Sequence, residues 1–165
     1  MGKARLQSPR SEATGPWHSQ VNIEPMTIEV TTDPSHIDLE TLHSWLKDSY
    51  WASKRPSSVQ EKANANSLNF TARIGGKMVG FARIVTDKAT FAWLCDVIVD
   101  PAVRGKGVGK ALMDAIVAHP DLADIRRIVL GTKDAQELYR KYGFEEPEPG
   151  RFMVRRGPDA PATDP

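Results

Sequence analysis

The chain has 165 residues, 40% of them hydrophobic and 26% charged, with a formal net charge of +1, which fits a single soluble domain with a real core. Near-neutrality excludes a broad basic field for nucleic acid or an anionic membrane, so any anion site must be local. The lone Cys95 excludes a disulfide framework and a cysteine-rich zinc site, and the scattered His18, His36, His43 and His119 lack metal-ligand spacing, so no metal is expected.

Residues 1–25 are rich in Ser, Pro, Gly and charge without periodicity, and are expected to form a flexible arm. No apolar stretch follows Lys3 and Arg5, as it would in a signal peptide, and no apolar run approaches the ~20 residues of a membrane span. The expected compartment is therefore the cytoplasm. Residues 26–31 alternate and are β-branched, which predicts a first strand. Asp33-Pro34-Ser35 announces a helix, with Ile37, Leu39, Leu42, Trp45 and Leu46 at helical spacing. After a loop over 50–56, Ser58 and Glu61 have capping-box spacing and predict a short helix to Asn66. Residues 68–74 and 77–85, joined by Gly75-Gly76, read as a hairpin. Residues 90–99 are nearly apolar throughout, which predicts a central strand. Within it, Cys95 reads as a buried, inert thiol.

A helix is expected over 107–118, with Val108, Leu112, Met113, Ile116 and Val117 on one side. A strand over 127–130 and a helix over 134–142 follow, the latter capped by Asp134 and stopped by Gly143. Phe144 and residues 151–154 predict two short final strands, and 157–165 read as a disordered tail. The fold class is thus α/β (α+β), one domain over 26–156 in the order β-α-α-β-β-β-α-β-α-β-β. Its mixed central sheet should be antiparallel at first and parallel near the helix crossovers.

The chemistry concentrates after Asp100-Pro101, where a glycine-rich turn runs into the start of a helix. A helix start leaves several backbone N–H groups without partners and carries positive partial charge. Gly105, Gly107 and Gly109 remove side chains that would hold a ligand away, and Arg104, Lys106 and Lys110 add positive charge. Such a site suits a pyrophosphate. On the glycines alone, a turn solubilised by its lysines reads equally well. Arg104 and Ala111 stand where a P-loop needs Gly and Ser or Thr, and Lys110 stands where the dinucleotide fingerprint needs Gly or Ala.

Arg104-Gly105-Lys106-Gly107-Val108-Gly109 matches an Arg/Gln-x-x-Gly-x-Gly/Ala signature. Downstream, Ala135-Gln136-Glu137-Leu138-Tyr139-Arg140-Lys141-Tyr142-Gly143-Phe144 is similar to an Ala-x-x-Leu-Tyr-x-Lys-x-Gly-Phe segment. In this order, with one strand between them, the two motifs resemble the GNAT acetyltransferase superfamily over about residues 27–154, as a small bacterial-type single-domain member. The resemblance implies acetyl-CoA as co-substrate. It places backbone groups of Val97, Ile98 and Val99 against the pantetheine amides, as if the cofactor were an added strand. Backbone N–H groups of Arg104, Gly105, Lys106, Gly107, Val108 and Gly109 would hold the pyrophosphate. Tyr139 would sit near the sulfur and protonate, or hydrogen-bond to, the departing thiolate; the other reading is a tyrosine packed beneath the sheet. The family's Asn ahead of this helix is missing. Gly131-Thr132-Lys133-Asp134 stands there, so Thr132 or Asp134 substitutes or the contact is absent.

An amine must be neutral to attack a thioester, and alkylamines sit near pKa ~10, so a carboxylate base would help. Asp96, which interrupts the apolar strand, suits that task; equally, it reads as bonded to backbone or paired with Arg83 across the sheet. Asp87 belongs to a hairpin turn. Tyr50, Trp51 and Arg55, with Trp93 and Phe81, form either an acceptor pocket for an ammonium group or part of the core or a dimer contact. The expectation is an N-acetyltransferase that moves an acetyl group to a primary amine of a small molecule or peptide by direct attack. No nucleic acid or membrane partner is expected. A non-catalytic acyl-CoA sensor or interaction domain of the same fold is the alternative, and the resemblance leaves room for a homodimer.

Overall fold

The computed structural model describes residues 26–157; the expected arm over 1–25 and nearly all of the expected tail lie outside the described residues. Five strands form one sheet in the order β1-β2-β3-β4-β5: β1 (Glu29–Thr31), β2 (Leu68–Ile74), β3 (Lys77–Thr86), β4 (Ala92–Val99) and β5 (Ile128–Leu130). The first three pairings are antiparallel and β4/β5 is parallel, as a crossover through a helix requires. The Gly75-Gly76 hairpin turn has positive φ at both glycines, 55° and 82°, a geometry that suits residues without a Cβ.

The helices are α1 (Leu39–Lys47), α2 (Ser57–Ala65), α3 (Val108–Val117), α4 (Pro120–Ala123) and α5 (Gln136–Arg140). α3 lays Val108, Leu112, Met113 and Ile116, all at most 1% exposed, onto one face of the sheet with Phe70, Ala72, Ala82, Ile84 and Leu94. Full burial of each large apolar side chain contributes about 1.5–3 kcal/mol. On the opposite face α1 packs Leu42 and Leu46 against Ala52, Phe81 and Ile98.

Several sequence expectations are corrected. Asp33 caps only a 3-10 turn, Pro34–His36; the chain re-extends at Ile37, and Asp38 caps α1 by accepting from the Thr41 N–H at 3.0 Å. α2 begins at Ser57 behind Pro56 with no side-chain cap, so the Ser58/Glu61 capping box does not form. A proline supplies the extended entry instead. Asp134 does not cap α5; the Thr132 hydroxyl accepts from the Ala135 N–H at 3.0 Å in its place. Phe144 and residues 151–154 are not strands, and the short α4 has no counterpart among the expected elements. Gly143 does stop the last helix in the left-handed region, φ 80°.

Candidate active site

β4 sets the site, through a defect in its pairing with β3. Phe81 pairs with Ile98 and Arg83 with Cys95, so Asp96 and Val97 together face the single residue Ala82. That is a β-bulge, and Asp96 takes the left-handed φ of 52° that non-glycine residues rarely adopt. An extra residue reverses which side chains face which way. Ala92 and Leu94 join the core under α3, but beyond the bulge Ile98 belongs to the core under α1. Asp96 is thereby kept out of the apolar layer beneath α3.

Its carboxylate, 0% exposed, is instead gripped from two sides. Arg55 Nη1 donates to both oxygens at 2.9 and 2.8 Å, and Arg83 Nε donates to Oδ2 at 2.8 Å. Gln60, buried in α2, accepts from the same Arg55 nitrogen at 2.6 Å and donates to Asn64 at 2.7 Å. Burial alone would raise the Asp96 carboxyl, but the Arg83 and Arg55 guanidiniums outweigh it and hold it below its ordinary value. Pairing with Arg83 was one of the readings the sequence left open. Arg55 and Gln60 as its further partners were not, because nothing in their spacing points to a residue 41 positions from Arg55.

β4 and β5 pair only from Ala92/Ile128 to Leu94/Leu130. Past Leu94, β4 continues to Val99 with no strand on that side among the described residues, so Val97, Ile98 and Val99 lie along an open edge. An open edge offers main-chain donors and acceptors to an extended ligand. From Asp96 to Asp100 this edge is about 13 Å long at the usual rise per residue. The Arg104 Nε lies 3.4 Å from the Val99 carbonyl at its far end.

There the chain turns through Pro101–Val103 into the glycine loop. Gly105 and Gly107 have φ of 76° and 87°, and a Cβ on either would touch nothing within 4 Å. Gly107 is the N-cap of α3, and the first bond of the helix runs from the Ala111 N–H to the Gly107 carbonyl at 2.9 Å. The N–H groups of Val108, Gly109 and Lys110 precede that bond and have no helical acceptor. Gly109 has no positive φ, and its Cβ would make only ordinary contacts of 3.9 and 4.0 Å. The protein's own packing therefore gives no reason for a glycine there; a close ligand does. The loop as a whole fits a diphosphate. One charge is not free for it: Lys110 is paired with Asp114 at 2.6 Å. The Lys106 ammonium has no partner among the described residues, whereas its backbone N–H, expected to face the pyrophosphate, donates to the Val103 carbonyl at 3.3 Å.

At the other end of the open edge, a cavity of about 300 Å³ brings together Tyr139, Asp96, Val97 and the loop residues Tyr50, Trp51 and Arg55, with Trp93 on its wall. Phe81 is not there; it is 0% exposed in the core under α1. Tyr139 projects from α5, its ring edge-on to Phe144 at 5.8 Å. Burial, then the nearby Tyr50 and Asp134, push its phenol up to about 12. Its hydroxyl has no partner among the described residues. Cys95 also lines the cavity and is half-buried rather than sealed. Burial, against the opposing Arg83 charge, pushes its thiol up to about 11, so it carries no thiolate at neutral pH. Asp87 sits in the turn before β4, accepting from the Ala89, Thr90 and Phe91 N–H groups.

A family model described as an acetyltransferase (GNAT) domain matches residues 65–146. A crystal structure from Xanthomonas campestris pv. campestris, described as belonging to the GNAT family, is 45% identical; the alignment covers 80% of this chain and 94% of that one, with a TM-score of 0.77. A chloroplastic GCN5-related N-acetyltransferase of Arabidopsis thaliana is 34% identical over 120 residues, covering 67% of this chain and 45% of its own length. An aminoglycoside N-acetyltransferase solved with CoA shares the fold at 19% identity, with a TM-score of 0.62, over 82% of this chain and 98% of that one. The chain spans between 30% and 45% of the length of the first three curated relatives it matches.

Proposed function

The chain belongs to the GNAT family of acetyltransferases, and on that premise we propose that it transfers the acetyl group of acetyl-CoA to a primary amine. The observation that carries this reading is the sequence of features along one strand edge. Bare main-chain amides at the start of α3 suit the diphosphate, the unpaired edge at Val97, Ile98 and Val99 suits the pantetheine arm, and the Tyr139 cavity lies where that arm would end. When bound, acetyl-CoA supplies a thioester carbonyl and a thiol leaving group.

The residues of the chain then have separable tasks. The acceptor ammonium gives one proton to solvent in the cavity, and the free amine attacks the thioester carbonyl carbon. The C–N bond forms, the C–S bond breaks, and the second nitrogen proton ends on the sulfur. Asp96, the base candidate of the sequence, holds the bulge instead: a carboxylate kept low by two guanidiniums is a weak acceptor for an amine proton. Tyr139 donates a hydrogen bond to the departing sulfur. A phenol near 12 is a poorer acid than a thiol near pKa ~8.5, so the stabilisation comes from the bond and not from full transfer.

Calorimetric titration of CoA, with thiol release from acetyl-CoA over an amine panel, tests this reading. Gly107→Glu should abolish CoA binding by placing bulk and negative charge among the amides. The sequence alone would leave the fold largely intact in this variant; the φ of 87° adds a cost of about 1–2 kcal/mol for any side chain there. Unchanged affinity removes the loop from the site. CoA binding without turnover on any amine favours a non-catalytic acyl-CoA-binding domain.

A further inference from the structure

The cavity has two unlike poles. At its floor one carboxylate, Asp96, is shared by two guanidiniums, Arg55 and Arg83, leaving one formal positive charge in excess. Arg55 Nη1 and Arg83 Nε are spent on Asp96, and Arg83 Nη1 donates to the Ser67 hydroxyl at 3.2 Å. Nε and Nη2 of Arg55 and Nη2 of Arg83 have no partner among the described residues, and they are not among the buried, unsatisfied atoms. The Arg55 and Arg83 side chains are 24% and 11% exposed, and both residues line the cavity. On the loop between β5 and α5, Asp134 is exposed and lines the same cavity, near enough to Tyr139 to push its phenol up, with no hydrogen-bond or ion-pair partner among the described residues. The aromatic rings of Tyr50 and Trp93, 41% and 36% exposed, also line the cavity, and Lys133 Nζ lies 5.7 Å from the centroid of the Tyr50 ring.

Resting on the acetyltransferase reading, we propose that the acceptor is a small zwitterion of the amino-acid class, its carboxylate on the free N–H groups of Arg55 and Arg83 and its ammonium drawn by Asp134 toward Tyr139. A guanidinium fork matches a carboxylate in shape as well as charge. The order of the poles is the productive one, since the nitrogen lies on the side of the tyrosine and the carboxylate points away. A cavity of about 300 Å³ is at the small end for ligand sites, and its aromatic wall favours an apolar or aromatic side chain. A peptide N-terminus offers an amide where the guanidiniums need an anion. A polyamine offers them a second cation. Both leave a charge unmet in a partly desolvated site, which is the costly outcome.

The test uses the full chain, acetyl-CoA, thiol release and mass spectrometry of the product on matched sets: tryptophan, tryptophanamide and tryptamine; leucine, leucinamide and isoamylamine. The free acids should exceed the amides and the decarboxylated amines in kcat/KM on the order of 30-fold or more. The α-amines of the amides are the less basic, about 7.7–8.0, so the larger neutral fraction at pH 8 favours the amides and cannot produce a preference of acid over amide; that pair is the deciding one. In Arg55→Gln the ratio of acid to amide should fall toward one while calorimetric CoA affinity is retained; if that variant does not fold, the wild-type ratio still decides. Amides or simple amines acetylated as well as the acids would overturn the proposal and leave the acetyltransferase reading standing, as would a preference for phosphoethanolamine over β-alanine. No CoA binding and no thiol release with any amine would bring down both.

Discussion

Gly80 in β3 faces the first turn of α3, and the two elements meet there without a side chain between them. A Cβ at position 80 would lie 2.7 Å from Val108 Cγ1, 3.2 Å from Leu112 Cδ1 and 3.4 Å from Ala72 Cβ. Carbon atoms settle at about 3.5–4.0 Å, so Gly80→Ala demands about 1 Å of extra separation. Val108 and Leu112 are 1% and 0% exposed, and a helical valine has little rotamer freedom with which to turn away. Overpacking of this kind costs about 1–3 kcal/mol, offset in part by the roughly 0.5–1 kcal/mol that alanine gains over glycine inside a strand. The net loss of about 1–2 kcal/mol should lower Tm by about 3–8 °C. Val108 follows the N-cap of α3, so the same displacement shifts the bare amides, and CoA affinity should fall on the order of ten-fold, the equivalent of one good charged hydrogen bond. Thermal melts with and without CoA, together with calorimetry, read both effects. Adding Val108→Ala to Gly80→Ala removes the nearest clash and should give back part of the loss, seen as a favourable coupling in the double-mutant cycle. A Gly80→Ala protein with unchanged Tm and CoA affinity would refute the claim that close helix–sheet approach positions the loop.

Tyr139→Phe should lower kcat more than it changes CoA affinity, and it should leave stability nearly unchanged because the hydroxyl has no partner to lose among the described residues; equal turnover in the two proteins removes Tyr139 from the reaction. With its phenol near 12, Tyr139 stays protonated across the working range, so kcat/KM should rise with pH following the acceptor amine, without a falling limb below about pH 10. Asp96→Asn leaves two guanidiniums around a neutral amide and should cost about 3 kcal/mol in a urea melt, the low end for a broken buried pair because Arg55 is 24% exposed. The folded Asp96 pKa lies below its unfolded value, so the stabilisation is fully present above about pH 4 and is lost as the pH falls through the folded value. An Asp96→Asn protein as stable as wild type at neutral pH would show that the clamp does not hold the bulge.

Features that depend on neighbours within a few positions are legible in the order of residues. The hairpin at Gly75-Gly76 follows from two adjacent glycines, the apolar side of α3 from spacings of three and four, and the glycine loop from residues 104–109. Tyr139 is picked out by its motif, and the fold sets it on the wall of the cavity that Asp96 also lines. Local chemistry misled where a local competitor existed: Ser58 and Glu61 yielded to Pro56, and Asp134 yielded to Thr132. The tertiary structure alone decided the bulge at Asp96, the parting of β4 from β5 after Leu94, and the sharing of one carboxylate by Arg55 and Arg83. Asp96 is the one charged residue in that apolar strand, but its presence does not say that the register slips there, because the slip is set by pairing with β3. The partners of a buried charge are chosen by what the folded chain brings within about 3 Å, not by distance along it. Asp96 reads as a base candidate in the sequence, and the fold surrounds its carboxylate with Arg55 and Arg83.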